Sequence, residues 1–336
     1  MRVGVAGASG YGGAELLRLL HAHPSFEVVV ATGQRNEGSL IAEHTPSLTG
    51  GYGGSAYGPT LPASFEGLDA VFVALPHGAS QELVPELMQS TTKVFDLGAD
   101  FRLSPDVYEQ WYGDAHLAPS LCAKAIYGLV ERNRAALVGA QLIAVPGCYP
   151  TATILGVCPF VDAGLLTGET IIVDAASGVS GAGRAIKDSL HFSEVDESFS
   201  AYGLLDHRHT AEMEMTLGTQ VLFTPHLVPM VRGMLVTAYA KPKGQLTTQT
   251  ALDLLHEVYD DEPFVHVVSA PPTTKAASGS NAAFVTARVD PRTGFLLILS
   301  AIDNLGKGAA GQAIQCANVS FGIEETTGLS TMGVYP

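Results

Sequence analysis

Long hydrophobic runs are missing from this 336-residue chain. Even the apolar stretch from Phe295 to Ile302 is stopped by Asp303-Asn304, well short of the about 18 residues a membrane helix needs, so no span is expected. Cysteine is scarce: Cys122, Cys148, Cys158 and Cys316 lie far apart with no CxxC pair, which argues against a disulfide framework or a zinc knuckle. Charge is thin and one-sided. Charged residues are 15% of the chain, and 33 Asp and Glu against 18 Lys and Arg leave a formal charge of −15. Without a Lys/Arg cluster there is no electrostatic footprint for nucleic acid or an anionic membrane. A secretory h-region is also absent from Met1-Arg2-Val3-Gly4-Val5-Ala6-Gly7, where glycines interrupt the apolar run at once. The expectations are a cytoplasmic protein and a small-molecule partner, with no nucleic acid and no membrane.

What is present is a large apolar fraction, 46%, enough to offset the ordering entropy of a core, in a length that suits two domains. Arg2 to Ala6 reads as a strand, Gly7 to Gly13 as a glycine turn and Ala14 to Leu20 as a helix; Phe26 to Ala31 then completes a βαβ unit. Asp69 to Leu75, Lys93 to Leu97 and Ala140 to Val145 continue the pattern of short apolar strands, predicting a Rossmann-type parallel sheet over residues 1–146. Beyond Pro146 the texture changes. Strands at Thr170 to Ala175, Gln220 to Thr224, Met234 to Ala240, Asn281 to Val289 and Gly294 to Ile302, separated mostly by loops, predict an α+β domain over 147–304 with a mainly antiparallel sheet. Lys307 to Ile323 places Ala310, Ala313, Ile314, Ala317 and Phe321 near one helical face, so 305–336 is expected to return to the first domain. The fold class is thus α/β plus α+β. An apolar antiparallel sheet of this kind can pair across a two-fold axis, so a homo-oligomer, dimer or tetramer, is expected.

The turn Gly7-Ala8-Ser9-Gly10-Tyr11-Gly12-Gly13 has GxxGxxG spacing in place of the commoner GxGxxG. The physics is shared: glycines let the backbone approach a pyrophosphate, and the next helix aims its amides and dipole at the charge. An NAD site carries an Asp or Glu at the end of the second strand for the ribose hydroxyl, whereas here that end reads Thr32-Gly33-Gln34-Arg35. An arginine without a carboxylate favours the 2′-phosphate of NADP(H).

Cys148, in Ile143-Ala-Val-Pro-Gly147-Cys148-Tyr-Pro-Thr-Ala152, falls between a strand and a helix. A thiol at a helix N-terminus has its thiolate stabilised by free amides and becomes a nucleophile. The stretch Pro146 to Ala152, with Gly156 and Pro159 beyond, resembles the active-site signature of the N-acetyl-gamma-glutamyl-phosphate reductase family. So, in family order, do Gly7 to Tyr11, Leu75-Pro-His-Gly78, Ala99-Asp-Phe-Arg102, Ser177 to Arg184, His207-Arg-His209, Pro225 to Met230 and Asp303 to Gly308. One departure is Val130, where the family often has proline.

The resemblance implies a semialdehyde-dehydrogenase-like fold and NADPH-dependent reduction of N-acetyl-L-glutamyl 5-phosphate to the 5-semialdehyde and phosphate through a cysteine thioester, in arginine biosynthesis. Cys148 would be the nucleophile. His207 is the first choice for acid/base and His209 the second; at i and i+2 with no third ligand they suit a metal poorly, and no metal is expected. Ser177 to Arg184 is read as a loop for the substrate phosphate, with Ser177, Ser180 and Arg184 as its groups. Arg102, Arg208 and Arg232 are further candidates for substrate carboxylate or phosphate. Glu212 would orient a histidine or recognise the acetamido group. Gly7, Ser9, Gly10, Tyr11, Gly12, Gly13, Arg35, Pro76 and Asn304 are the expected coenzyme residues. Three other readings stay open: a sister reductase acting on a carrier-protein-linked aminoadipyl or glutamyl phosphate; aspartate-semialdehyde dehydrogenase, disfavoured because its motif has asparagine where Gly147 stands; and a non-catalytic NADP-binding redox sensor.

Overall fold

In the computed structural model, which describes residues 1–91 and 93–335, the chain divides into two units: Met1–Pro146 with Ala309–Leu329, and Gly147–Gly308 with the residues from Ser330 on. Residues 305–308 and those from 330 on therefore fall with the second unit, where the sequence had suggested the first. Hydrogen bonds explain the difference. The Asp303 carboxylate accepts from the Leu305 and Gly306 amides, and the tail is tied back through Asn281 N–H to Ser330 O and Val334 N–H to Ser278 O.

The first unit is built on strands β1 (Arg2–Ala6), β2 (Glu27–Ala31), β3 (Ala70–Val73), β4 (Lys93–Asp96), β5 (Ile126–Tyr127) and β6 (Leu142–Ala144), in the order β2-β1-β3-β4-β6-β5 with every pairing parallel. Strand β5 was not foreseen, because two residues carry no readable period. Helices α1 (Tyr11–His21), α2 (Ala79–Ser90), α3 (Pro105–Tyr112) and α4 (Val130–Leu137) belong to this unit; Val130, the departure noted above, is buried at the start of α4. The chain reverses sheet direction at β1, with β2 on one side and β3 on the other, and ligands of open parallel sheets bind at such a switch point. The glycine turn follows β1 at that point. Helix Gly311–Phe321, preceded by a π-helical turn at Gly306–Ala310, contributes Ala313, Ile314 and Ala317 to a core with Leu16, Leu17, Phe72 and Phe95. It is buried from Gly311 to Ser320, on all faces and not on one.

The second unit holds a seven-stranded sheet in the order β11-β12-β13-β10-β7-β9-β8, from β7 (Ile171–Gly178), β8 (Ser200–Ala201), β9 (Val221–Val228), β10 (Met234–Ala240), β11 (Val265–Val267), β12 (Ala283–Val289) and β13 (Leu296–Ile302). It is mixed but mainly antiparallel: β7 runs parallel to β9 and β11 to β12, and the other four pairings are antiparallel. The expected hairpin joins β12 to β13 with Val289 opposite Leu296, and its turn is pinned by Thr293 donating to the Asp290 carboxylate (2.7 Å) with Gly294 at φ +75. The connections are not mostly loops. Helix α5 (Cys148–Asp162) opens the unit, α6 (His209–Leu217) precedes β9, and α7 (Thr248–Tyr259) starts with a Thr247/Thr250 capping box.

Helix α5 is buried from Tyr149 to Phe160, which makes it a core helix with no solvent stripe, lying along β10, β12 and β13. Burial of Ile154, Leu155, Val157 and Phe160 contributes about 2 kcal/mol each to holding it in place. Pro159 inside the helix cannot donate to Leu155 O four residues back. The buried Tyr259 hydroxyl of α7 takes that carbonyl instead, at 2.6 Å.

Candidate active site

The glycines of the first turn divide by cause. Gly7 sits at φ +80 and a Cβ there would collide with Ala74 O; a Cβ on Gly13 would collide with Gly7 O, so both are required by the turn and its packing on α1. Gly10 and Gly12 are different: a Cβ on Gly10 would meet nothing closer than 3.5 Å, and one on Gly12 nothing within 4 Å. Open space over these two backbones, an α1 N-cap with no side-chain hydrogen bond and a first turn without a carboxylate together suit a bound pyrophosphate. Ser9 and Tyr11 lie in this turn. After β2, Gly33 comes so close to Ser9 that a Cβ would sit 3.1 Å from Ser9 Oγ, and Arg35 follows, exposed, in the turn Gln34–Asn36. Pro76 is exposed just beyond β3, and two residues on, Gly78 N–H donates to both oxygens of the buried Asp100 carboxylate at 2.8 Å.

Arg102 is buried in this same unit. Its Nε and Nη2 donate to Val145 O and Leu97 O, both at 2.8 Å, so it ties together the ends of β6 and β4. Asp96, at the end of β4, is fully buried with Oδ1 accepting from Ser80 Oγ and Gly98 N–H; burial pushes its carboxyl up to about 7.

In the second unit Cys148 is the first residue of α5, with Gly147 at the N-cap in an ordinary extended conformation. The amides of Cys148 and Tyr149 stand in the first turn, and Pro150 has none. Two contacts define the corner. The imidazole of His209, first residue of α6, lies on Gly147 so closely that a Cβ would be 2.5 Å from Nε2, which accounts for the glycine. One turn along α6, the buried Glu212 accepts the Gly147 N–H at 2.8 Å. Gly308 is glycine for a like reason, since a Cβ there would be 2.7 Å from Cys148 Cβ.

His207 occupies an aromatic enclosure, with ring centroids 5.5 Å from Tyr149, 5.5 Å from Tyr202, 5.2 Å from Phe223 and 4.9 Å from His209. Its Nδ1 accepts the His209 N–H at 3.2 Å, which leaves the proton of the neutral ring on Nε2. Burial pulls its pKa down to about 4, with Asp206 pushing up and Arg208 down. Tyr202 OH donates to Tyr149 OH (3.0 Å), which donates to His226 O (3.3 Å). Burial pushes the Tyr202 phenol up to about 12 and the Tyr149 phenol higher, the latter helped by Tyr202 beside it.

The segment from Ser177 to Arg184 is not a loop throughout. Ser177 and Gly178 end β7, whose pairing with β9 and β10 overrides their loop-like composition, and Val179–Ala182 forms one tight 3₁₀ turn. Ser177 and Ser180 are buried; Ser177 Oγ donates to Gly178 O, and Ser180 Oγ accepts from Asn304 Nδ2 at 2.9 Å. Asn304 also accepts the Gly233 N–H (2.8 Å), so it links this turn to the start of β10. Arg184 is exposed, Arg208 half-buried, and Arg232 is paired with the buried Asp303 at 2.9 Å. Tyr149, Tyr202, Phe223 and Gly308 were not foreseen. Tyr149 and Gly308 sit inside quoted motifs, but nothing in the sequence marks Tyr202 or Phe223.

Two family models cover the chain almost end to end: the semialdehyde dehydrogenase NAD binding domain over residues 2–140 and the semialdehyde dehydrogenase dimerisation domain over 148–304. The N-acetyl-gamma-glutamyl-phosphate reductase of Symbiobacterium thermophilum is 49% identical over 100% of this chain and 99% of its own length, and that of Desulforudis audaxviator 46% identical over all of both. The chain belongs to the N-acetyl-gamma-glutamyl-phosphate reductase family. Like its family it is an oxidoreductase with a nicotinamide-dinucleotide-binding domain, as the motif resemblance implied. Solved aspartate semialdehyde dehydrogenases share the reductase fold at low identity. That of Vibrio cholerae superposes with TM-score 0.71 at 16% identity over 95% of this chain and 97% of its own, and that of Candida albicans, solved with NADP, with 0.69 at 16% over the same shares. Among the described residues of this family member, no helix is long and apolar enough to cross a membrane.

Proposed function

We propose that this chain reduces N-acetyl-L-glutamyl 5-phosphate to N-acetyl-L-glutamate 5-semialdehyde and phosphate, with Cys148 as nucleophile and NADP(H) as coenzyme, in the cytoplasm and as a step of arginine biosynthesis. The observation that carries the reading is Cys148 at the first position of a fully packed helix with the His209 ring seated on the preceding glycine. The Cys148 thiolate, favoured by the α5 amides and dipole, attacks the acyl carbon and phosphate leaves, giving a thioester. NADPH, when bound, supplies the hydride for reduction of the acyl group. The amides of Cys148 and Tyr149 are placed to stabilise negative charge on the acyl oxygen.

His209 is the better acid/base of the two histidines. His207 has Nδ1 occupied, carries its proton on Nε2, and is held neutral by burial, so it buttresses its neighbour and takes no proton itself. Ser177, Ser180 and Arg184, with Arg208, are the groups for the substrate phosphate and carboxylate. Arg102 serves the first unit's sheet. The glycine turn, Ser9 and Arg35 would hold the coenzyme, Arg35 pairing with a 2′-phosphate, and Pro76 would flank it. Asn304 supports the Ser180 turn. The domain boundary falls at Pro146–Gly147, and the half-exposed face of the second unit's sheet, including Ile172 and Leu222, supports pairing with a second copy.

Incubation with the semialdehyde, NADP and phosphate tests the reading. NADPH formation should require phosphate and vanish in Cys148→Ser; binding of NADP without turnover would replace it with a sensor.

A further inference from the structure

We propose that Glu212 is a positioning residue for this reaction: its carboxylate clamps the Gly147 amide and so sets both the placement and the acidity of Cys148. The proposal rests on the reading of Cys148 as the nucleophile. Neither role suggested by sequence, orienting a histidine or recognising an acetamido group, accounts for the bond from Gly147 N–H to Glu212 Oε1 at 2.8 Å.

A helix N-cap is ordinarily fixed by its own side chain, which accepts an amide of the first turn. Here that is barred, because the His209 imidazole fills the space where any Cβ on Gly147 would go. The corner has to be held from outside, and Glu212 does so from α6 with only 2% of its surface exposed. Burying a carboxylate is costly unless it is paired or hydrogen-bonded, so its place at this amide is selective. Glu212 lies three residues after His209, on the same face of α6. One hydrogen bond therefore registers His209 against Cys148, and α6 and the start of α5 move as one piece.

The charge has its own effect. The α5 amides stabilise the Cys148 thiolate, and a carboxylate at the N-cap amide opposes them, keeping the thiol less acidic and the thiolate more nucleophilic. The titratable and charged groups near this corner include Tyr149 on α5 and Tyr202, His207 and His209, whose rings meet one another, with Asp206 and Arg208 acting on His207. All of them are common to the variants compared below.

The test uses the full chain and alkylation of Cys148 by iodoacetamide, followed by peptide mass mapping across pH, beside steady-state turnover. Glu212→Gln keeps an acceptor for the amide and loses the charge. Its alkylation midpoint should fall by about one pH unit while turnover stays within about fivefold of the parent. Glu212→Ala loses the acceptor as well, and turnover should drop about 100-fold. If Glu212→Ala does not fold, the Glu212→Gln midpoint alone decides. An unchanged midpoint in Glu212→Gln, or a Glu212→Gln as slow as a folded Glu212→Ala, overturns the proposal. Turnover surviving in Cys148→Ser would remove the nucleophile itself and the proposal with it, a result separate from either Glu212 outcome.

Discussion

Gly147→Ala is the most direct probe of the corner between α5 and α6. The added methyl would lie 2.5 Å from Nε2, 2.7 Å from Cε1 and 2.9 Å from Cδ2 of His209. Ordinary carbon contacts are about 3.5 Å, so ring and methyl must separate by about 1 Å. Gly147 has φ −70 and ψ 156, a conformation any residue adopts, so no backbone strain clouds the result. A displacement of that size at a reacting group costs about 100-fold in rate, or about 2.7 kcal/mol of barrier. The overpacking itself should cost about 1–3 kcal/mol of stability. Phosphate-dependent NADPH formation gives the first quantity and thermal denaturation the second. Turnover within about threefold of the parent, in a variant with the expected loss of melting temperature, would mean that the His209 ring has moved without consequence and has no part in the chemistry.

Three further outcomes follow from the same geometry. His209→Asn should lower turnover by 100-fold or more and His207→Asn by clearly less; the reverse order restores His207 as the acid/base. His207 also predicts a pH trend in stability. Its folded pKa of about 4 lies below the ordinary 6.5, so the folded state binds fewer protons in that window. The stability it contributes is complete above pH 6.5 and is lost as pH falls toward 4, and the melting-temperature gap between parent and His207→Asn should narrow over that range; a constant gap refutes the assignment. Finally, Tyr259→Phe leaves Leu155 O buried without its donor and should destabilise by about 1–2 kcal/mol, roughly 3–6 °C, with turnover unchanged. No change in melting temperature would mean that the freed carbonyl finds another partner.

What the linear sequence conveyed depended on the range of the force responsible. The β1–turn–α1 unit was legible because its signals are local: apolar alternation gives way to glycine and then to helical spacing within some twenty residues. The start of α5 was legible for the same reason, with Gly147, Cys148 and Pro150 adjacent in the chain. Ser177-Gly178 misled because serine and glycine favour loops when isolated, yet here β9 and β10 pair with them on both sides and tertiary hydrogen bonding outweighs propensity. Elsewhere in the second unit α7 was passed over where strands dominated the reading, although it carries a capping signal of its own.

The two histidines could not be told apart in the sequence, for a deeper reason. Two imidazoles two residues apart look equivalent in a sequence, and what separates them comes from how the fold gathers other groups around them: Tyr149, Tyr202 and Phe223 enclose one ring, while Gly147 receives the other. The glycines beside Cys148 make the same point from the opposite side. Gly147 and Gly308 are visible as motif letters, but the reason neither can bear a side chain is that His209 and Cys148 already fill the space each would use. A motif of this kind is the imprint of contacts made across the fold, and each of its small residues marks where a larger and chemically active neighbour has to fit.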